Sequence, residues 1–125
     1  MQNRIGKIIA EFSFIVCEEN EEILGYAFAA RYKKREAYKH SAEVSVYVKN
    51  GAGGKGIGKS LYQKLFEEIE RKDIHALIAG IALPNEASIK LHERFGFEKV
   101  AHFREVGFKF GRWIDVSYWE FLNKK

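Results

Sequence analysis

The sequence is poor in residues that impose order from outside a hydrophobic core. A single cysteine, Cys17, permits no internal disulfide, which excludes a stapled secreted scaffold and fits a reducing compartment. A single proline, Pro84, leaves the turns to glycine and polar residues. The longest apolar run, Ala76 to Leu83, is far short of the roughly 20 residues a membrane-crossing helix needs. Met1 is followed by polar Gln2 and Asn3, without the basic and apolar segments of a secretory signal. His40, His75 and His102 have no ligand spacing, so no metal is expected. Charge of neither sign dominates: 21 lysines and arginines against 17 acids give +4, which suits an anionic ligand without demanding nucleic acid. The expectation is a cytoplasmic protein with no membrane and no nucleic-acid partner.

What is present is enough to fold. With 125 residues, 46% hydrophobic and 30% charged, the chain reads as one globular domain over residues 1–125. A chain of this size buries about two-thirds of its unfolded surface. Ile5, Ile8, Ile9 and Phe12 recur at helical spacing and predict the tail of an amphipathic helix. Phe14 to Cys17 and Ile23 to Arg31 predict two strands of a hairpin around an acidic turn, and Tyr32 to Ser41 a basic surface loop. Glu43 to Lys49 is a strand, dominated by β-branched and aromatic residues. Ile57, Leu61, Leu65 and Ile69, each four apart, form the apolar stripe of a helix. Ala76 to Leu83, apolar on both faces, predicts a strand buried at the centre of a sheet. A second helix runs from about Glu86 to Phe95 and stops at Gly96. Val100 to Phe110 and Trp113 to Leu122 predict a closing antiparallel pair with a turn at Gly111-Arg112. The pattern is mixed α/β.

The chemistry concentrates between the third predicted strand and the helix after it. Gly51 to Gly58 holds five glycines in eight residues, flanked by Lys55 and Lys59. A strand, a glycine-rich turn and a helix in succession present free backbone N–H groups at a helix N-terminus, which favours a phosphate. Two motifs compete for this segment. Gly53 to Ser60 satisfies the triphosphate-loop pattern G-x-x-x-x-G-K-S/T. That fold also needs an apolar strand ending in a magnesium-binding Asp, and the downstream strand ends Leu83-Pro84-Asn85.

The other pattern is a coenzyme A pyrophosphate loop. Here the sequence resembles the GNAT superfamily of acetyltransferases, whose loop reads Gln/Arg-x-x-Gly-x-Gly/Ala: Gly56 and Gly58 fill the glycine places, and Gly53 replaces the leading Gln or Arg. Asn85 to Phe97 (Asn85, Ser88, Leu91, His92, Gly96, Phe97) resembles the second GNAT signature. With Ala42 to Val48 and Val106 to Val116, the match is most similar to the phosphinothricin and methionine sulfoximine N-acetyltransferase branch. The resemblance implies a GNAT fold: a mixed, mostly antiparallel sheet flanked by helices. It also implies that the family's first strand and most of its first helices are missing before Phe14.

The same resemblance implies acetyl-CoA-dependent transfer of an acetyl group to the primary amine of a small amino-acid-like substrate. Glu43 would be the base; read from position alone, a solvated strand-end carboxylate is the plainer reading. The amides of Val46, Tyr47 and Val48 would engage the coenzyme and the reacting carbonyl, and Gly54, Lys55, Gly56, Ile57, Gly58 and Lys59 would cradle its pyrophosphate. Asn85 is placed either to cap the second helix or to reach the pantetheine. His92 would protonate the leaving thiolate or pack within the helix, and Arg94 would contact the coenzyme. Lys33, Arg35 and Tyr38 suit the carboxylate or phosphinate of the acceptor. A homodimer joined through the C-terminal strands is implied as well. The competing function is a non-catalytic coenzyme A-binding module, with a nucleotide-triphosphate protein third.

Overall fold

The computed structural model describes residues 2–6, 13–33, 35–49, 51 and 56–123. Seven strands form one sheet in the order β1-β2-β3-β4-β5-β7-β6. They are β1 (Gln2–Gly6), β2 (Ser13–Glu19), β3 (Glu22–Arg31), β4 (Ser41–Val48), β5 (Ala76–Ala82), β6 (Glu98–Lys109) and β7 (Arg112–Leu122). Helix α1 (Ile57–Glu70) crosses from β4 to β5, and α2 (Glu86–Arg94) leads from β5 to β6. Every neighbouring pair is antiparallel except β4 and β5, whose parallel pairing requires the helical crossover.

Local chemistry accounts for the elements. The β2–β3 turn places Asn20 and Glu21 at φ 53° and 65°, the positive pair that matches the twist of a tight hairpin. The β6–β7 turn does the same with Phe110 and Gly111, at φ 51° and 74°, one residue earlier than the sequence suggests. In α1, the stripe Ile57, Leu61, Leu65 and Ile69 is buried, joined by Tyr62. It packs on the sheet face formed by Ile15 and Cys17 of β2, Ala27 and Ala29 of β3, and Ala42 and Val44 of β4. Cys17 is core, as expected.

Two expectations are corrected. Ile5 lies not in a helix but in β1, opposite Ile15. The unpaired edge of β2 offers backbone partners that an isolated short turn of helix lacks, and Gly6 disfavours a helix besides. Ile8, Ile9 and Phe12 lie outside the described residues. A strand therefore does precede the Phe14 strand, where none was expected. Second, β5 sits in the middle of the sheet, yet only Leu77, Ala79 and Ile81 are buried, while Gly80 and Ala82 are exposed. Both described helices lie on one face, so the other face of the strand has no helix over it among the described residues.

Candidate active site

The parallel ladder between β4 and β5 is short. It holds three residue pairs, Ser41 to Glu43 against Ala76 to Ile78, and then the strands part. Beyond that fork β4 keeps its pairing to β3 through Val48, and β5 keeps its pairing to β7 through Ala82. The gap opens toward the C-terminal ends of both strands, beside the N-termini of α1 and α2. The direction of the β4 backbone follows from its hydrogen bonds. The His40 carbonyl accepts from the N–H groups of His75 and Ala76, and the Lys49 N–H bonds the Leu24 carbonyl of β3. Because successive residues of a strand turn their polar groups to opposite sides, Val44, Val46 and Val48 face the gap. Tyr47 turns its main chain toward β3, so only its side chain is left for the cleft.

An open cleft of about 740 Å³ fills this gap. Val46, Tyr47 and Val48 form one wall, Gly56 to Lys59 the floor at the start of α1, and Asn85, Ser88, Leu91 and Arg94 the wall on α2. Gly56 caps α1 in the left-handed region at φ 72°, where a side chain would be strained, and, being glycine, it makes no side-chain cap to the first amides of the helix. Gly58 is needed for another reason: a Cβ there would stand 3.3 Å from Leu91 Cδ2 and 3.6 Å from Val48 Cγ2. Lys49, Lys59, Lys90 and Arg94 line the cleft and, among the described residues, no carboxylate does, so the site is electropositive. Lys49 is also paired with Glu22. Gly54 and Lys55 lie outside the described residues.

Asn85 makes the helix cap that was one of its two expected roles. Its Oδ1 accepts from the Ser88 N–H at 3.1 Å, capping α2, and the residue lines the cleft. Of its two expected places, His92 takes the packed one. It is 2% exposed and absent from the cleft wall. Its Nδ1 lies 2.7 Å from the Ser88 carbonyl, which can only accept, so Nδ1 carries the proton. Its Nε2, 2.7 Å from the Tyr62 hydroxyl, is then the acceptor. Burial holds the ring's pKa down, partly offset by the Ser88 carbonyl, and burial pushes the Tyr62 phenol up. A neutral ring with both nitrogens engaged is poorly placed to deliver a proton to the cleft.

Glu43 is exposed at the fork itself, opposite Ile78 and on the sheet face away from α1. Ser45, Tyr47, Tyr26 and Phe28 share that face, with Tyr26 stacked on Tyr47 at 5.4 Å. The loop before β4 closes near Glu43 through the Tyr32 N–H to Ser41 carbonyl bond. Lys33, Arg35 and Tyr38 sit on it, exposed, with Lys33 over the Tyr32 ring and Tyr38 edge-on to that ring. These three do not line the cleft. Lys90 and Ala87 were missed by sequence reasoning, although Ala87, Leu91 and Arg94 follow the helical spacing that marks one face of α2.

The chain matches the acetyltransferase (GNAT) domain over residues 2–118. It is 54% identical to a phosphinothricin N-acetyltransferase of Streptomyces coelicolor across 82% of this chain and 60% of that protein. It is 37% identical to the L-amino acid N-acyltransferase MnaT of Escherichia coli, across 93% and 70% respectively. Among solved structures, a phosphinothricin acetyltransferase of Sinorhizobium meliloti in complex with AcCoA superposes with a TM-score of 0.81 at 34% identity, covering 88% of this chain and 60% of the other. The chain thus spans about 60% of the length of several curated relatives it matches. A mostly antiparallel sheet that forks at its one parallel pair has no place in a triphosphate-loop fold, and with the match over residues 2–118 it puts the chain in the GNAT acetyltransferase family.

Proposed function

We propose that the chain is an acetyl-CoA-dependent N-acetyltransferase acting on the primary amine of a small amino-acid-like substrate. The observation that carries this reading is the fork. It joins a basic, anion-binding cleft on one side of the sheet to an exposed carboxylate, Glu43, on the other. The cleft residues suit coenzyme A: the first amides of α1 and Lys59 for the pyrophosphate, Asn85 Nδ2 and the main chain of Val46 and Val48 for the pantetheine amides, and Lys90 and Arg94 for further phosphate. The bound coenzyme supplies the thioester. Glu43 takes a proton from the incoming ammonium, so that a free amine attacks the thioester carbonyl; as the C–N bond forms the C–S bond breaks, and the departing thiolate takes up the second proton released from nitrogen. Unpaired N–H groups of β4 meet the oxyanion that develops. Lys33, Arg35 and Tyr38, near the same end of β4, suit an acidic group on the acceptor, and relatives named for phosphinothricin and methionine sulfoximine support this class.

With no activated nucleophile in the cleft among the described residues, transfer is direct and kinetics sequential. Incubation with labelled acetyl-CoA alone should leave no label on the protein, whereas label retained after denaturation would rule the mechanism out. Thiol release with phosphinothricin or methionine sulfoximine should require acceptor and coenzyme together. Stabilisation by acetyl-CoA without turnover of any amine would favour a coenzyme-binding module instead. A homodimer through the β6–β7 hairpin is part of this reading, supported by the exposed Val106, Phe108, Phe110 and Trp113 on it.

A further inference from the structure

The cleft lies over a seam in the molecule. On one side, α1 packs on β2, β3 and β4. On the other, α2 follows β5, and the segment after it packs through Phe97 and Gly96 on Phe121 of β7. Within the sheet these halves share the three residue pairs at the fork. Above the sheet they meet through Phe66 of α1, which packs on Phe95, Phe97 and Phe121, and through one directional contact, Tyr62 of α1 donating to His92 of α2, two side chains that are 0% and 2% exposed. The rings meet edge to face at 5.1 Å, and Phe95 and Phe97 pack around both helices. The polar chain continues from His92 Nδ1 to the Ser88 carbonyl and from the Ser88 N–H to Asn85 Oδ1. It ends on two residues of the cleft wall.

We propose that Tyr62 and His92 are positioning residues that fix the spacing of α1 and α2, and so the affinity of the cleft for acetyl-CoA, without touching the ligand. The inference rests on the reading of the cleft as the coenzyme site. Apolar contacts between two helices are non-directional and tolerate sliding. A buried hydrogen bond does not, because any displacement leaves a donor and an acceptor unsatisfied together. The cleft residues lie one helical turn from this bond: Gly58 stands four residues before Tyr62, and Ser88 four before His92. A shift of either helix therefore moves the floor and the far wall of the cleft.

The test compares the protein with Tyr62→Phe, His92→Phe, their double variant, and His92→Gln, which keeps an acceptor near the place of Nε2. Calorimetric Kd for acetyl-CoA, steady-state kcat and KM, and Tm are read for each, well below the lowest Tm. Each phenylalanine variant should raise Kd and KM for acetyl-CoA about tenfold, the equivalent of one lost hydrogen bond, with kcat within roughly twofold. The double variant should bind no worse than either single one, and His92→Gln should recover most of the affinity. Variants that lose Tm but keep Kd overturn the inference in favour of plain core packing. A fall in kcat with KM unchanged, together with loss of the alkaline limb of the kcat profile in His92→Phe alone, overturns it in favour of His92 as proton donor. Should phenylalanine variants fail to fold, equal affinity in His92→Gln and His92→Asn, whose shorter side chain cannot reach Tyr62, overturns it too. Absence of acetyl-CoA binding by the unsubstituted protein would instead overturn the assignment of the cleft, and with it this inference.

Discussion

His92 sits under α2 with Tyr62 donating to one ring nitrogen and the Ser88 carbonyl accepting from the other, an arrangement suited to a neutral ring. Its pKa is held below the usual 6.5 in the folded protein. Below that value the unfolded chain binds a proton that the folded chain refuses, so stability falls as pH drops from about 6.5 toward the depressed folded value, and is unaffected above it. One such group contributes at most about 1.4 kcal/mol per pH unit. Urea midpoints at pH 7.5 and 5.5 should therefore differ less in His92→Gln than in the unsubstituted protein, and an equal or larger difference would contradict a neutral ring. Glu43 is the opposite kind of residue, exposed and at the fork. Glu43→Gln should lower kcat/KM by about 10²- to 10⁴-fold at neutral pH, the usual worth of a general base, while leaving acetyl-CoA affinity and Tm unchanged. Neither role was fully legible in the sequence. The residue that engages His92 lies thirty positions away, and Glu43, singled out in the sequence by resemblance alone, has its place at the fork fixed by a pairing that ends beside it.

Helix α1 shows which elements the sequence specifies well. Its four-residue stripe is long, regular and buried as the periodicity predicts, and α2 and β4 are equally plain. Strand β1 was not legible, because its neighbours in sequence carry apolar residues at helical spacing while its pairing to β2 is a tertiary event. The fork was invisible for a similar reason: β4 and β5 each read as unbroken strands, and nothing local says where their ladder stops. Two substitutions separate the two tasks of α1. Leu61→Ala, at a position with no exposure, should cost about 2–5 kcal/mol of unfolding free energy in denaturant titration. Gly58→Ala should cost little stability but weaken acetyl-CoA binding several-fold in calorimetry, since the added Cβ presses on Leu91 at the floor of the cleft. Unchanged binding in Gly58→Ala would show that the close approach of α1, α2 and β4 is not needed there.

Over the whole molecule, apolar surface is unevenly distributed. One sheet face is covered by two helices, whereas the β6–β7 hairpin carries Phe110 at 97% and Trp113 at 62% exposure. Replacing both with serine should shift the protein to a smaller species in size-exclusion chromatography with light scattering, with Tm falling as self-association is lost. An unchanged mass would remove the hairpin as the dimer contact.

The fork described above also bears on how the protein melts. Only three residue pairs join the two halves within the sheet, and the rest of the joint is side-chain packing: Tyr62 and Phe66 of α1 against His92, Phe95, Phe97 and Phe121. With so little backbone pairing across the fork, the free protein should unfold over a broader calorimetric range than the liganded one, with a van't Hoff enthalpy below the calorimetric one. A ligand seated in the gap acts as a rivet across it. Saturating acetyl-CoA should then do more than raise the midpoint: it should narrow the transition and bring the two enthalpies together.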